Sequence, residues 1–166
     1  MTLSEILQLE ENAEAIFIGA LSSVCANVYG SRQIDTSVTP RISCNVMIGA
    51  QFQNQMLTIG VAPGFIYSAY ECRAEFTVST NRTSEAKSAA HNTLVGNTSQ
   101  RLSQFYLDQW QNDQLAINED LVPCLVTQVK PDASENSEQD SENIDNTALA
   151  ITFILVINPE AVSNLN

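Results

Sequence analysis

From Tyr70 to Thr80 the side chains alternate without a slip. Tyr70, Cys72, Ala74, Phe76 and Val78 fall on one side, and Glu71, Arg73, Glu75, Thr77 and Ser79 on the other. A period of two with this polarity predicts a strand with one buried and one wet face, as in an antiparallel sheet packed on one side. Ile42, Cys44, Val46 and Ile48 alternate with Ser43, Asn45 and Met47 and predict a second half-buried strand. Leu121 to Val129 reads as a third, with Pro123 pointing to an edge or a strand start. Ala148 to Ile157 differs from these. Leu149, Ile151, Phe153, Leu155 and Ile157 point one way, and Ala150, Thr152, Ile154 and Val156 point the other. A strand apolar on both faces belongs in the centre of a sheet covered on both sides, or under a subunit interface.

Two helices complete the pattern. Between Ser4 and Tyr29, Ile6, Leu9, Ala13, Ile16, Phe17, Ala20, Leu21, Val24 and Val28 recur at three- and four-residue steps. Glu5, Glu10, Glu11 and Glu14 gather near the N-terminal half, where the helix dipole favours anions, and Gly30 is placed to end the helix in left-handed conformation. A second helix is expected from a cap at Thr83 or Ser84 to about Gln111. Its better face holds Leu94, Thr98, Leu102, Phe105, Tyr106, Gln109 and Trp110, and Gly96 suits a close approach of the sheet. The predicted order is helix, strand, strand, helix, strand, strand. It describes a single α+β domain over residues 1–166, with two main helices on an antiparallel sheet.

Two insertions stand out. The stretch 51–69 is too long for an ordinary hairpin loop and too apolar, carrying Phe52, Met56, Leu57, Phe65 and Tyr67. It reads either as a loop folded back on its own core or as an arm that inserts into a neighbouring subunit. The stretch 131–147 holds Asp132, Glu135, Glu138, Asp140, Glu142 and Asp145 with no basic residue. Such a segment buries too little apolar area to offset the entropy of ordering. It reads as a solvated loop, or as an acidic finger for a basic partner.

Charge narrows the function classes. Seven Lys and Arg stand against 19 Asp and Glu, a formal net charge of −12, and the cations are scattered. Binding DNA through its phosphates needs several clustered cations, so nucleic-acid recognition is not expected. The longest apolar run, Ala148 to Ile157, is half of what a membrane-spanning helix needs. The N-terminal segment has no basic region and no small-residue cleavage site, which predicts a protein made and used inside a cell.

Cys25, Cys44, Cys72 and Cys124 have no paired short spacing, and His91 is the only histidine. They read as reduced core cysteines, with no metal and no cofactor expected. Nucleophile-elbow, phosphate-loop, zinc-protease and dinucleotide motifs are absent. Glu71 and Glu75 share one face of a strand at ~13 Å, beyond the reach of a glycosidase pair. His91 reads as a helix-capping or interface histidine. The chain is not expected to be an enzyme.

The element order resembles the small neck proteins of tailed bacteriophages, the tail-terminator or tail-completion family in particular. The resemblance runs through the leading helix to Gly30, the strand Arg41-Ile-Ser-Cys-Asn-Val-Met-Ile and the strand Tyr70–Thr80. It continues through the helix with Ala89-Ala-His-Asn-Thr-Leu-Val and the closing strand Ala148–Ile157.

It implies a structural virion protein, assembled in the host cytoplasm. Its homo-oligomeric ring, of about six subunits, would cap the tail tube and join it to a head-side neck protein while DNA passes without specific binding. An acidic protein offers no cations to hold DNA phosphates. The candidate subunit contacts are Phe52, Met56, Leu57, Phe65 and Tyr67 of the arm and Ile154 and Val156 of the last strand. Glu71, Glu75, Glu135, Glu138, Asp140 and Glu142 are the candidate channel or acidic surface. Other classes stand beside this one: another head–tail connector, a small acidic adaptor for a basic partner, or a small-ligand binder.

Overall fold

The computed structural model describes residues 3–51, 68–82, 89–112, 121–130 and 143–157. Helix α1 (Leu3–Leu21) is followed by strands β1 (Val28–Gly30), β2 (Arg41–Gln51) and β3 (Ser68–Asn81). Helix α2 (Ala89–Asn112) then leads to β4 (Leu121–Lys130) and β5 (Ile144–Ile157). The fold is α+β. The five strands form one sheet in the order β1-β2-β3-β5-β4.

The sheet is mixed, which corrects the expectation of an antiparallel one. β2–β3, β3–β5 and β4–β5 are antiparallel, but β1 runs parallel to β2, with Val28 registered on Ile42 and Gly30 on Cys44. The element order gains a strand for the same reason. Val28 fits the helical stripe of the sequence, yet α1 stops at Leu21. Ser22 and Ser23 turn their hydroxyls onto the Gly19 and Ala20 carbonyls at 2.7 and 3.3 Å, the local competition that disfavours serine in helices. The Val24 and Cys25 N–H groups both donate to Leu21 O, and Arg101 Nε of α2 donates to Ala20 O at 3.0 Å. The end of α1 is thus tied to the other helix.

Both helices lie on one face of the sheet. Leu9, Ala13, Phe17 and Leu21 of α1 meet Ile42, Cys44 and Val46 of β2 and Cys72, Ala74, Phe76 and Val78 of β3 in a single core. The Phe17 and Phe76 rings meet edge to face, with centroids 5.4 Å apart. Leu102 of α2 and Leu149 and Ile151 of β5 complete it. Each buried Leu, Ile or Phe contributes about 1.5–3 kcal/mol relative to exposure. Cys25, Cys44 and Cys72 are buried inside this core. Burial, with the nearby Glu14 carboxylate adding to it, pushes the Cys44 thiol far above the ordinary cysteine range.

β5 lies inside the sheet between β3 and β4 and is longer than its apolar run, beginning at Ile144. Residues 144–147, expected in a solvated acidic loop, are therefore strand, and Asp145 among them is buried. Two glycines also differ from expectation. Gly30 ends β1 rather than a helix, and a Cβ there would meet Glu14 Oε2 at 2.6 Å, so the position is reserved by close approach. Gly96 is exposed with open space around it, and α2 continues through it without the sheet drawing near.

No helix among the described residues is long and apolar enough to cross a membrane.

Candidate interaction surface

The β1 edge of the sheet is closed by helix carboxylates. The Ile42 N–H donates outward to Asn27 O at 2.9 Å. Two and three positions of the same parity further along, β1 has ended and α1 takes over. The Val46 N–H donates to Glu14 Oε1 at 3.3 Å, and the Ile48 N–H donates to Glu10 Oε1 at 3.0 Å. Four helical residues advance ~6 Å and two strand residues ~6.7 Å, so the i, i+4 pair of glutamates matches the ladder. Glu14 also accepts the Ser31 N–H at 3.2 Å and the Ser31 hydroxyl at 2.8 Å. An exposed pair between Arg32 and Glu11 lies beside them.

The loop after β1 is fastened as well. Arg41 Nη1 donates to Thr36 O and Val38 O, both at 3.0 Å. The Ser37 hydroxyl and N–H donate to Asp35 and hold its carboxyl below the usual carboxylate range.

Opposite the helices is an open sheet face. Its rows are fixed by register: Ser43, Thr77 and Ala148; Asn45, Glu75 and Ala150; Met47, Arg73 and Thr152. Among the described residues no helix packs on it. Arg73 Nε donates to Glu75 Oε1 at 2.8 Å, an exposed ion pair on this face. Such an exposed pair contributes at most about 1 kcal/mol. Met47, 38% exposed, is one of the two large hydrophobic side chains that stand out in solvent among the described residues; the other is Ile34.

The far end of the inner face is polar. His91, 0% exposed, sits in the first turn of α2 with Nδ1 2.8 Å from Thr80 Oγ1 of β3 and Nε2 2.8 Å from Thr147 Oγ1 of β5. Arg82 Nε donates to Asp145 Oδ1 at 2.9 Å, and the Arg82 N–H donates to Asn143 O at 2.7 Å. On the other side of the ribbon the Ser79 hydroxyl donates to Asn146 Oδ1 at 2.7 Å. His91 is thus an internal strut between the helix and two strands, with both ring nitrogens engaged, rather than a cap or an interface residue.

The residues predicted as contacts divide between these places. Ile154 and Val156 hold the register positions that continue the row Ala148, Ala150, Thr152; Ile154 is paired with Glu71 and Cys124, and Val156 with Ala69 and Val122. Glu75 stands on the open face against Arg73. Phe52, Met56, Leu57, Phe65 and Tyr67, and likewise Glu135, Glu138, Asp140 and Glu142, lie outside the described residues. Among the described residues no group of three or more His, Cys, Asp or Glu is arranged to hold a metal ion.

Sequence reasoning missed the edge role of Glu10 and Glu14. The available signal was their i, i+4 spacing directly beside the buried Leu9 and Ala13. It also missed the Arg82–Asp145 pair, which joins residues 63 apart in sequence.

No family model matches this chain, and no curated protein matches it.

Proposed function

We propose that this chain is a ring-forming structural protein of a tailed-phage neck, a tail terminator that caps the tail tube and joins it to the head. The observation that carries the reading is the asymmetry of the sheet. Both helices occupy one face, while the open face continues at register into Ile154 and Val156. The chain also leaves β2 and returns to β3 at that end, where Gln51 is registered on Tyr70. Among the described residues no helix covers that face, and identical copies would cover apolar positions on it by heterologous contacts that close into a ring. The apolar stretch 52–67, outside the described residues, is the second candidate element of that contact by its sequence.

Arg73 is paired with Glu75 on this face, and the chain as a whole is strongly acidic. Such a surface lets DNA pass without holding its phosphates. His91 has no catalytic part in this reading, because both of its nitrogens are spent inside the core.

The test is tube growth. Added to polymerising tail-tube protein, the chain should stop elongation at sub-stoichiometric amounts, and Ile154→Asp should abolish the effect in a folded protein. Tubes of unchanged length would overturn termination. An acidic adaptor is the competing reading, resting on Asp132, Glu135, Glu138, Asp140 and Glu142. It predicts that deleting 132–142 removes binding of a basic partner, whereas a terminator keeps its assembly.

A further inference from the structure

The two edges of the sheet are guarded differently. Edge strands of soluble proteins are blunted by charges, proline or bulges, which discourage pairing with another chain. β4 carries Pro123 and two breaks in its register with β5. β2 has no such protection along its regular stretch. β1 covers it only from Ile42 to Cys44, β3 follows its other side as far as Gln51, and the register slips only beyond Ile48. The stretch 45–51 holds no charged residue and no proline, in a chain of net charge −12.

Helix α1 stands there instead. The Ile42, Val46 and Ile48 N–H groups share one parity, and all three leave β2 on the side away from β3. Ile42 reaches the backbone at Asn27 O, whereas Val46 and Ile48 reach Glu14 Oε1 and Glu10 Oε1. An ionised carboxylate only accepts hydrogen bonds. It replaces the carbonyls of a neighbouring strand but offers no hydrogen to the carbonyls of this edge, so the two glutamates complete half of a ladder. Ser31 donates to Glu14 with its N–H and its hydroxyl, so the same carboxylate also fastens the chain that leaves β1.

The edge is complementary to itself. Turned about a two-fold axis through Met47, two copies pair antiparallel, with Val46 of each opposite Ile48 of the other. These are the positions whose N–H groups leave the edge, so each opposed pair exchanges two hydrogen bonds. Met47 then faces itself in the position without hydrogen bonds, where Cα atoms lie ~4.5 Å apart. The axis runs through the sheet from face to face, so α1 stays on the inner side in both copies.

We propose that Glu10 and Glu14 guard this edge against a second copy of the chain: β2 is a latent self-pairing strand, and the two carboxylates hold it closed. α1 stays docked without them, because Leu9, Ala13, Phe17 and Leu21 anchor it in the core. The guarded edge is distinct from the open face on which the ring reading rests.

Glu10→Ala combined with Glu14→Ala in the full chain is the test. Relative to the parent, this double variant should gain a larger species that grows with protein concentration. In it the Val46 and Ile48 amides should exchange more slowly as concentration rises. With Met47→Cys added, oxidation should join two copies through that site, since the facing Cα separation of ~4.5 Å lies in the disulfide range. Met47→Cys in the parent should stay unjoined. Glu10→Gln with Glu14→Gln keeps both acceptor oxygens and should behave as the parent does. A folded double variant without concentration-dependent association overturns the proposal. So does association that leaves those amides unprotected or the Met47→Cys sites unjoined. Should the double variant fail to fold, Glu10→Ala alone decides by the same cross-link, because it frees the Ile48 N–H for the second copy's Val46 carbonyl.

Discussion

Glu14 Oε1 of α1 accepts the Val46 N–H of β2 at 3.3 Å and so occupies the place of a neighbouring strand's carbonyl. With Glu10 on Ile48 it turns an unpaired strand edge into the side of a helix. Edge strands left open invite pairing with other chains, and this edge is closed by side chains that the sequence reading assigns only to the N-terminal end of the helix dipole.

Glu14→Ala should lower stability by about 2 kcal/mol. It strands the N–H of Val46, a residue 2% exposed, and takes the acceptor from the exposed Ser31. Glu14→Gln keeps an acceptor oxygen and should cost less. Urea unfolding gives the loss, and faster hydrogen exchange at the Val46 amide, with little change at Ala74, would assign it to the edge.

Gly30→Ala places a Cβ against Glu14 Oε2 at 2.6 Å and near Ile18 Cδ1 at 3.6 Å. Because three donors hold that carboxylate, it has little freedom to move, and the cost should be about 1–3 kcal/mol. In a Glu14→Ala background the cost should largely vanish, a coupling of about 1 kcal/mol or more in a double-mutant cycle. Simple additivity would remove the close approach as the reason for the glycine.

Arg82→Ala leaves the buried Asp145 carboxylate without its cation and should cost about 3 kcal/mol. Replacing both, with Asp145→Ala added, should recover part of that loss, since the unpaired charge goes with its partner. Thermal unfolding of the two single variants and the double variant measures this. A double variant as unstable as the sum would show that the two side chains act separately.

Cys44 should resist alkylation in the folded chain, because burial keeps its thiol protonated as well as covered. Mass spectrometry after iodoacetamide pulses across a urea series should show Cys44 labelling only along the global unfolding curve. Labelling in the absence of denaturant would mean that the β2 edge opens locally.

The strands were legible because Tyr70–Thr80 and Ile42–Ile48 encode their own faces in a period of two. The closing strand was legible for its doubly apolar run. Less legible were features set by partners far away in sequence. Val28 continues the helical stripe, but Ser22 and Ser23 end the helix first, and β1 forms because β2 offers it a parallel edge. Asp145 sits in an acidic run, and only Arg82, across the sheet, marks it as buried. His91 carried no local sign of Thr80 and Thr147. The alternation of β5 could be read from its residues alone, whereas the side of the sheet that both helices choose could not.

The most direct test is the native mass of the purified chain, alone and with its tail-tube protein. The proposal predicts a closed species of about six times 18.1 kDa at tube ends, formed in solution or templated there, and lost in Val156→Asp while the monomer stays folded. A folded monomer that ignores tube ends would contradict it.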